Sequence, residues 1–233
     1  MLLVYKDMNL SDVIEEHTSL IPLLDRFGIS LGNADKTVGQ TCREKNIDPD
    51  FFLTVLNTFL NEDYFPEKNF AAFHAEQILD YLRKTNAYYR HYQLPNIERH
   101  LKGFIASASE NPSLVLIGNI FEKARNLVLE RIGRDETTFF PQVSALCRAT
   151  PASDAPALVF KSEDHADDEG RALLHDIKSV MVRHLTGHYD HNLCYAVIFA
   201  VSALERDMKQ HDRIRYRILA PMVEAMENNR RGH

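Results

Sequence analysis

Apolar residues in the second half of the chain recur at helical spacing. Leu94 and Leu101 stand one heptad apart, Ala87 and Ala108 extend that series in both directions, and Ile97, Phe104 and Ile105 fill the same face. Such a seam belongs to a long helix packed along one side. Further amphipathic stretches predict a second helix from Leu114 towards Cys147, a third from Ser162 to Gly187 and a fourth from Leu193 to Glu227. The run Ala149-Thr150-Pro151-Ala152-Ser153-Asp154-Ala155-Pro156 between the second and third reads as a plain loop. No period-two alternation competes, so the fold class is all-α. Four long helices with short connections predict an up-down-up-down bundle over residues 66–230.

Before residue 63 the elements are shorter. Ser11 to His17 and Leu20 to Phe27 read as brief helices, with Gly28 placed to stop the second. Thr37 is placed to cap a helix reaching Lys45, and Asp48-Pro49 supplies an N-cap and a first-turn proline for a helix ending at Leu60. Residues 1–62 therefore read as a small helical module.

One pattern recurs inside the long helices. Arg131 is followed by Asp135 and Pro141, and His211 by Arg215 and Pro221, at the same offsets. Each pair lies at i and i+4 on one helix face. A proline inside a helix costs ~3 kcal/mol. Its recurrence at one offset points to a repeated architectural unit; the alternative is chance recurrence in a helix-rich chain.

Composition narrows the class. Hydrophobic residues make up 45% and charged residues 26% of the 233 positions, which is globular rather than disordered composition. The net charge of −6 argues against nucleic acid as a partner. The stretch Leu193 to Leu204 is shorter than the ~20 residues of a membrane span and is followed by Glu205-Arg206-Asp207, so it reads as a buried helix. Charge enters the N-terminus too early for a signal-peptide core, and Cys42, Cys147 and Cys194 are scattered without a CxxC pair. Together these predict a cytoplasmic protein without membrane association. No glycine-rich phosphate loop, nucleophile elbow or Ser/His/Asp order is present, which leaves no catalytic residue to name.

The polar pairs and prolines resemble the ligand arrangement of hemerythrin-like proteins, specifically the iron-centre repair family. In that family two helices carry His-x3-Glu before Phe-Pro, one carries a lone histidine between acids, and the first carries a histidine before Leu-Pro. Here Leu94-Pro95, Phe140-Pro141 and Ala220-Pro221 follow the proline landmarks, and Glu163-Asp164-His165 follows the lone-histidine segment. Arg26-Phe27-Gly28-Ile29, Lys36-Thr37-Val38, Cys42-Arg43-Glu44-Lys45 and Asp48-Pro49 resemble the family's N-terminal domain. The resemblance implies a two-iron bundle behind a small helical module.

The departures decide what remains. Ser30-Leu31-Gly32-Asn33-Ala34 stands where the family has a Cys-Cys pair. Ala87 stands at a histidine position and Ala108 at the next ligand position, Arg131 and Asp135 replace one His-x3-Glu, and Arg215 replaces the acid after His211. Only His165 and His211 keep the family ligand, with Asp135 as a substitute. Arginine is always protonated and cannot ligate a metal. The leading expectation is accordingly a polar core of Arg131, Asp135, His165, Asp207, His211, Arg215 and Glu169 with no cofactor, in a non-enzymatic protein acting in regulation or through an as yet unknown protein partner. The alternative is iron or another divalent metal on Asp135, His165 and His211, with His91 as a displaced fourth ligand, serving sensing, stress response or iron-centre repair. The alanines at 87 and 108 would in addition leave room for a small ligand unless larger neighbours fill it. His184, His188, His191 and Asp190 around Gly187 read as a solvated turn.

Overall fold

The computed structural model describes residues 3–32, 35–65, 72–108, 112–148 and 169–231. Among them every regular element is helical, and the one extended pairing is an isolated bridge between Asn9 and Thr37. No helix among the described residues is long and apolar enough to cross a membrane.

The first helices are set by their ends. Helix α1 (Leu10–Glu16) is capped by Asn9, whose side chain accepts from the amides of Ser11 and Asp12. Helix α2 (Ile21–Arg26) stops at Gly28, which has φ +71°, while the Ile29 amide reaches back to the Leu24 carbonyl. Glycine takes that left-handed conformation without a Cβ penalty. Helix α3 (Val38–Glu44) opens with a reciprocal Thr37–Gln40 capping box. Helix α4 (Pro49–Leu60) opens on Asp48, with proline in its first turn. These caps lie where the sequence places them.

The later elements are α5 (Ala72–Tyr88), α6 (Leu94–Ser107), α7 (Pro112–Arg134), α8 (Phe140–Arg148), α9 (Glu169–His184), α10 (His191–Ile214) and α11 (Ala220–Arg231). Three junctions, α5/α6, α7/α8 and α10/α11, are single π turns: Tyr89–Gln93, Asp135–Phe139 and Arg215–Leu219. Each opens six residues before a proline. The residue preceding the proline donates its amide five back: Leu94 to Tyr89, Phe140 to Asp135, and Ala220 to Arg215. A proline ring collides with the carbonyl four back in a regular helix, and the extra residue of a π turn moves that carbonyl aside. The expected start of the third long helix, 162–168, lies outside the described residues.

Two compact units divide the chain. One comprises 1–84, 142–160 and 210–233; the other comprises 85–141 and 161–209. In the first, the aromatic side chains of Phe51, Phe52 and Phe59 are fully buried. Phe27 packs edge-on against Phe52 and stacks on Tyr81 at 5.5 Å between centroids. The buried amide of Asn57 fastens the N-terminal segment by exchanging hydrogen bonds with the backbone of Val4, at 2.8 and 3.0 Å.

In the second unit one core draws on α6, α7, α9 and α10. It contains Leu94, Ile97, Leu101 and Phe104; Ile117, Phe121, Val128 and Ile132; Leu174, Ile177 and Met181; and Val197, Val201 and Leu204. The apolar stretch from Leu193 is thus part of a core helix.

The seam expected through Ala87 needs correction. Ala87 is exposed and Asn86 is buried. The π turn at Tyr89–Gln93 inserts one residue between the seam of α6 and that of α5, so a heptad counted back from Leu94 falls one residue short of the buried face. Ala87 therefore opens no interior space, and Ala108 is half-buried at the end of α6.

Candidate functional site

The polar pairs marked by the prolines sit at the π turns. In the second unit, Asp135 is the first residue of its π turn and only 3% exposed, and Arg131, one turn earlier on α7, is half-buried. Asn86 of α5 donates its side-chain amide to Asp135 Oδ2 at 3.4 Å. Between the same helices, the Arg90 guanidinium pairs with Glu136 at 2.8 Å, both half-exposed. The peripheral ion pair thus joins two π turns, and the buried amide–carboxylate bond ties the second of them to α5. Asp207 on α10 is also buried.

The same count from Pro95 finds residues that the Arg/Asp and His/Arg echo omits. Ten and six positions before it lie Thr85 and Tyr89, both buried. The unit therefore occurs three times, and its first copy carries a hydroxyl pair. Neither residue is charged, so a search for charged pairs passes over them.

In the first unit, His211 is 2% exposed and its ring stacks on Tyr81 at 6.3 Å between centroids and 29° between planes. Arg26, itself buried, donates from Nη1 to the Tyr81 hydroxyl at 3.2 Å and lies 5.5 Å from the centre of that ring. Arg215 opens the third π turn and is half-buried. Sequence reasoning missed Arg26 and Tyr81, because nothing local links positions 55 residues apart. In the same unit Arg213 is half-buried; burial is the largest influence and pushes its pKa down, opposed by Glu62 and reinforced by Arg217.

Three expected members stand elsewhere. Glu169 is not part of a buried core: it opens α9 at the surface and pairs with Lys123 at 2.6 Å, both side chains more than half exposed. His91 lies on the outward side of its π turn and is exposed, so it faces away from the interior that a displaced ligand would need. His165 lies outside the described residues. Among the described residues no three His, Cys, Asp or Glu side chains form a group able to hold a metal ion. The donors named for a metal and buried in this structure, Asp135 and His211, are bonded to Asn86 and stacked on Tyr81 respectively. The described residues do not fit a di-iron centre. His184, His188 and His191 are all exposed, around Gly187 at φ +85°.

The thiols offer no nucleophile. Burial pushes the Cys42 thiol up to about 12 and Cys147 up to about 11, with Asp48 and Glu76 respectively adding to it, and burial raises Cys194 as well. A thiol so raised is protonated and inert at neutral pH. The chain matches no protein-family model and no curated protein.

Proposed function

We propose that this protein is a degenerate member of the hemerythrin-like, iron-centre repair group: an up-down-up-down four-helix bundle behind a small N-terminal helical module, in which the di-iron chemistry has been lost. It acts in the cytoplasm as a regulatory or protein-interaction module rather than as an enzyme. The observation that carries the reading is the placement of Arg131/Asp135 and His211/Arg215 at two π turns of one register, with both arginines half-buried. A guanidinium there brings a fixed positive charge where the family would place a cation, and it accepts no metal bond. Asp135, held by Asn86, is then a structural carboxylate. What supports the N-terminal part of the resemblance is the sequence of caps at Gly28, Thr37 and Asp48 in the expected order.

Elemental analysis, with an ultraviolet–visible spectrum, tests this on protein purified without chelator and without a histidine tag. The expected result is a stably helical protein with substoichiometric metal and no oxo-bridged di-iron bands. Two irons per chain would overturn it, and one metal per chain lost on His211→Ala would replace it with a mononuclear site.

A further inference from the structure

Helix α10 is apolar on two sides. Cys194, Val197, Val201, Leu204 and Met208 belong to the core and are buried. Tyr195, Phe199 and Ala203 recur one turn apart on the outer side and are exposed. Phe199, at 72%, is the most exposed large hydrophobic side chain among the described residues. The outward face of such a helix ordinarily carries charged and polar residues instead. On α9, Val182 is 67% exposed one turn beyond Lys178, whose ammonium pairs with Glu205 of α10, so the apolar surface continues towards that helix.

Size and charge are distributed so that this face complements itself. Large side chains, Tyr195 and Phe199, stand in its first part, and the small Ala203 follows. Asp190, exposed just before the helix, is acidic; Arg206, exposed beyond Ala203, is basic. A second α10 laid antiparallel across a two-fold axis at Phe199 sets Tyr195 of each copy against Ala203 of the other, because both lie one helical turn from the axis. At the helical rise, Asp190 lies about 13.5 Å to one side of the axis and Arg206 about 10.5 Å to the other. Arg206 of each copy thus comes within about 3 Å, along the helix, of Asp190 of the other, a gap that a long flexible side chain spans. The Asp190 carboxylate accepts from the Leu193 amide at 3.0 Å and has acceptor capacity to spare. A parallel, in-register pairing would set like charge against like at both ends, so the charges select the antiparallel one.

We infer that the occupant of this face is a second copy of the chain, seated antiparallel along α10 about Phe199, with Asp190–Arg206 ion pairs at both ends. Such an isologous contact satisfies each pair twice. One helix pair buries less than the about 800 Å² per partner of a standard interface, so the dimer forms and dissociates with concentration. The inference goes beyond the reading of the former iron positions and uses none of their residues.

Sedimentation velocity of the full-length chain from about 1 to 500 μM reads the monomer–dimer equilibrium. A dimer is expected in the wild type and in Leu116→Ser, a control that removes an exposed apolar side chain of α7. Phe199→Asp is expected to raise the dissociation constant at least about tenfold, since it brings two carboxylates together at the axis. Arg206→Asp and Asp190→Arg each place like charges at both ends and are expected to weaken the dimer by about the same factor. Mixed one to one, these two variants match opposite charges at both ends, and the expected result is recovery of the dimer as a heterodimer. A wild type that stays monomeric throughout overturns the proposal and leaves the face to a different protein. A dimer untouched by Phe199→Asp overturns it by placing the interface elsewhere, and a mixture that stays monomeric overturns the antiparallel seating. Circular dichroism checks that each variant is folded; if Asp190→Arg, which loses the cap of α10, is not, Phe199→Asp and Arg206→Asp decide by themselves.

Discussion

Asn86 reaches Asp135 from the neighbouring helix, donating its amide to the carboxylate at 3.4 Å with both side chains buried. Its sequence neighbour Ala87, at the position a regular heptad assigns to the interior, faces out. The two positions therefore respond differently to substitution. Asn86→Ala removes a donor from a buried carboxylate and is expected to destabilise by about 1–3 kcal/mol. Ala87→Ser is expected to stay within about 0.5 kcal/mol, as surface changes do. Urea unfolding of both variants, with Asp135→Ala and the double variant closing a cycle, checks this; equal costs at 86 and 87 would place the seam wrongly.

The π turns predict that their prolines are cheap. Pro95 is exposed, and the Leu94 amide bonds the Tyr89 carbonyl rather than a carbonyl four back. Pro95→Ala should therefore change stability by under about 1 kcal/mol, whereas relieving a proline forced into a regular helix would gain ~3 kcal/mol. Chemical denaturation distinguishes these, and a gain of the larger size would show that the turn stores proline strain.

Acid stability follows from Asp48. Its carboxyl is held below the ordinary value of 3.8, chiefly by the Phe51 amide, with the Asp50 amide and His74 adding to it against some desolvation. His74 Nε2 lies 3.4 Å from Asp48 Oδ2. Because the folded value is depressed, this contribution is complete above the unfolded value near 3.8 and is lost as pH falls through the lower folded value. Asp48→Asn keeps a capping oxygen but does not titrate. Its stability should decline less steeply than wild type below pH 3.8; parallel acid limbs would refute the assignment.

Thiol chemistry gives a fourth test. With Cys147 near 11 and Cys42 near 12, the thiolate fraction at pH 8 is on the order of one in a thousand or less. Native protein should react with Ellman's reagent at least about tenfold more slowly than unfolded protein, which should release three equivalents. Rapid native labelling of any one thiol would show that its cover opens on the assay timescale.

The sequence by itself determined the helical class, the caps at Thr37, Asp48 and Gly28, and the proline offsets that mark Arg131/Asp135 and His211/Arg215. These are signals within one helix or one turn, where spacing and side-chain chemistry act between residues close in the chain. The tertiary structure alone decided the one-residue shift that buries Asn86 in place of Ala87, the placement of Glu169 and His91 at the surface, and the stacking of Tyr81 on His211 beside Arg26. A π turn is a local insertion, but its consequence is a rotation of everything before it relative to the core, and a heptad count assumes no such rotation. Partners such as Arg26 and Tyr81 are chosen by how separate helices pack, and packing is set by the shape and volume of whole faces rather than by any short stretch of chain.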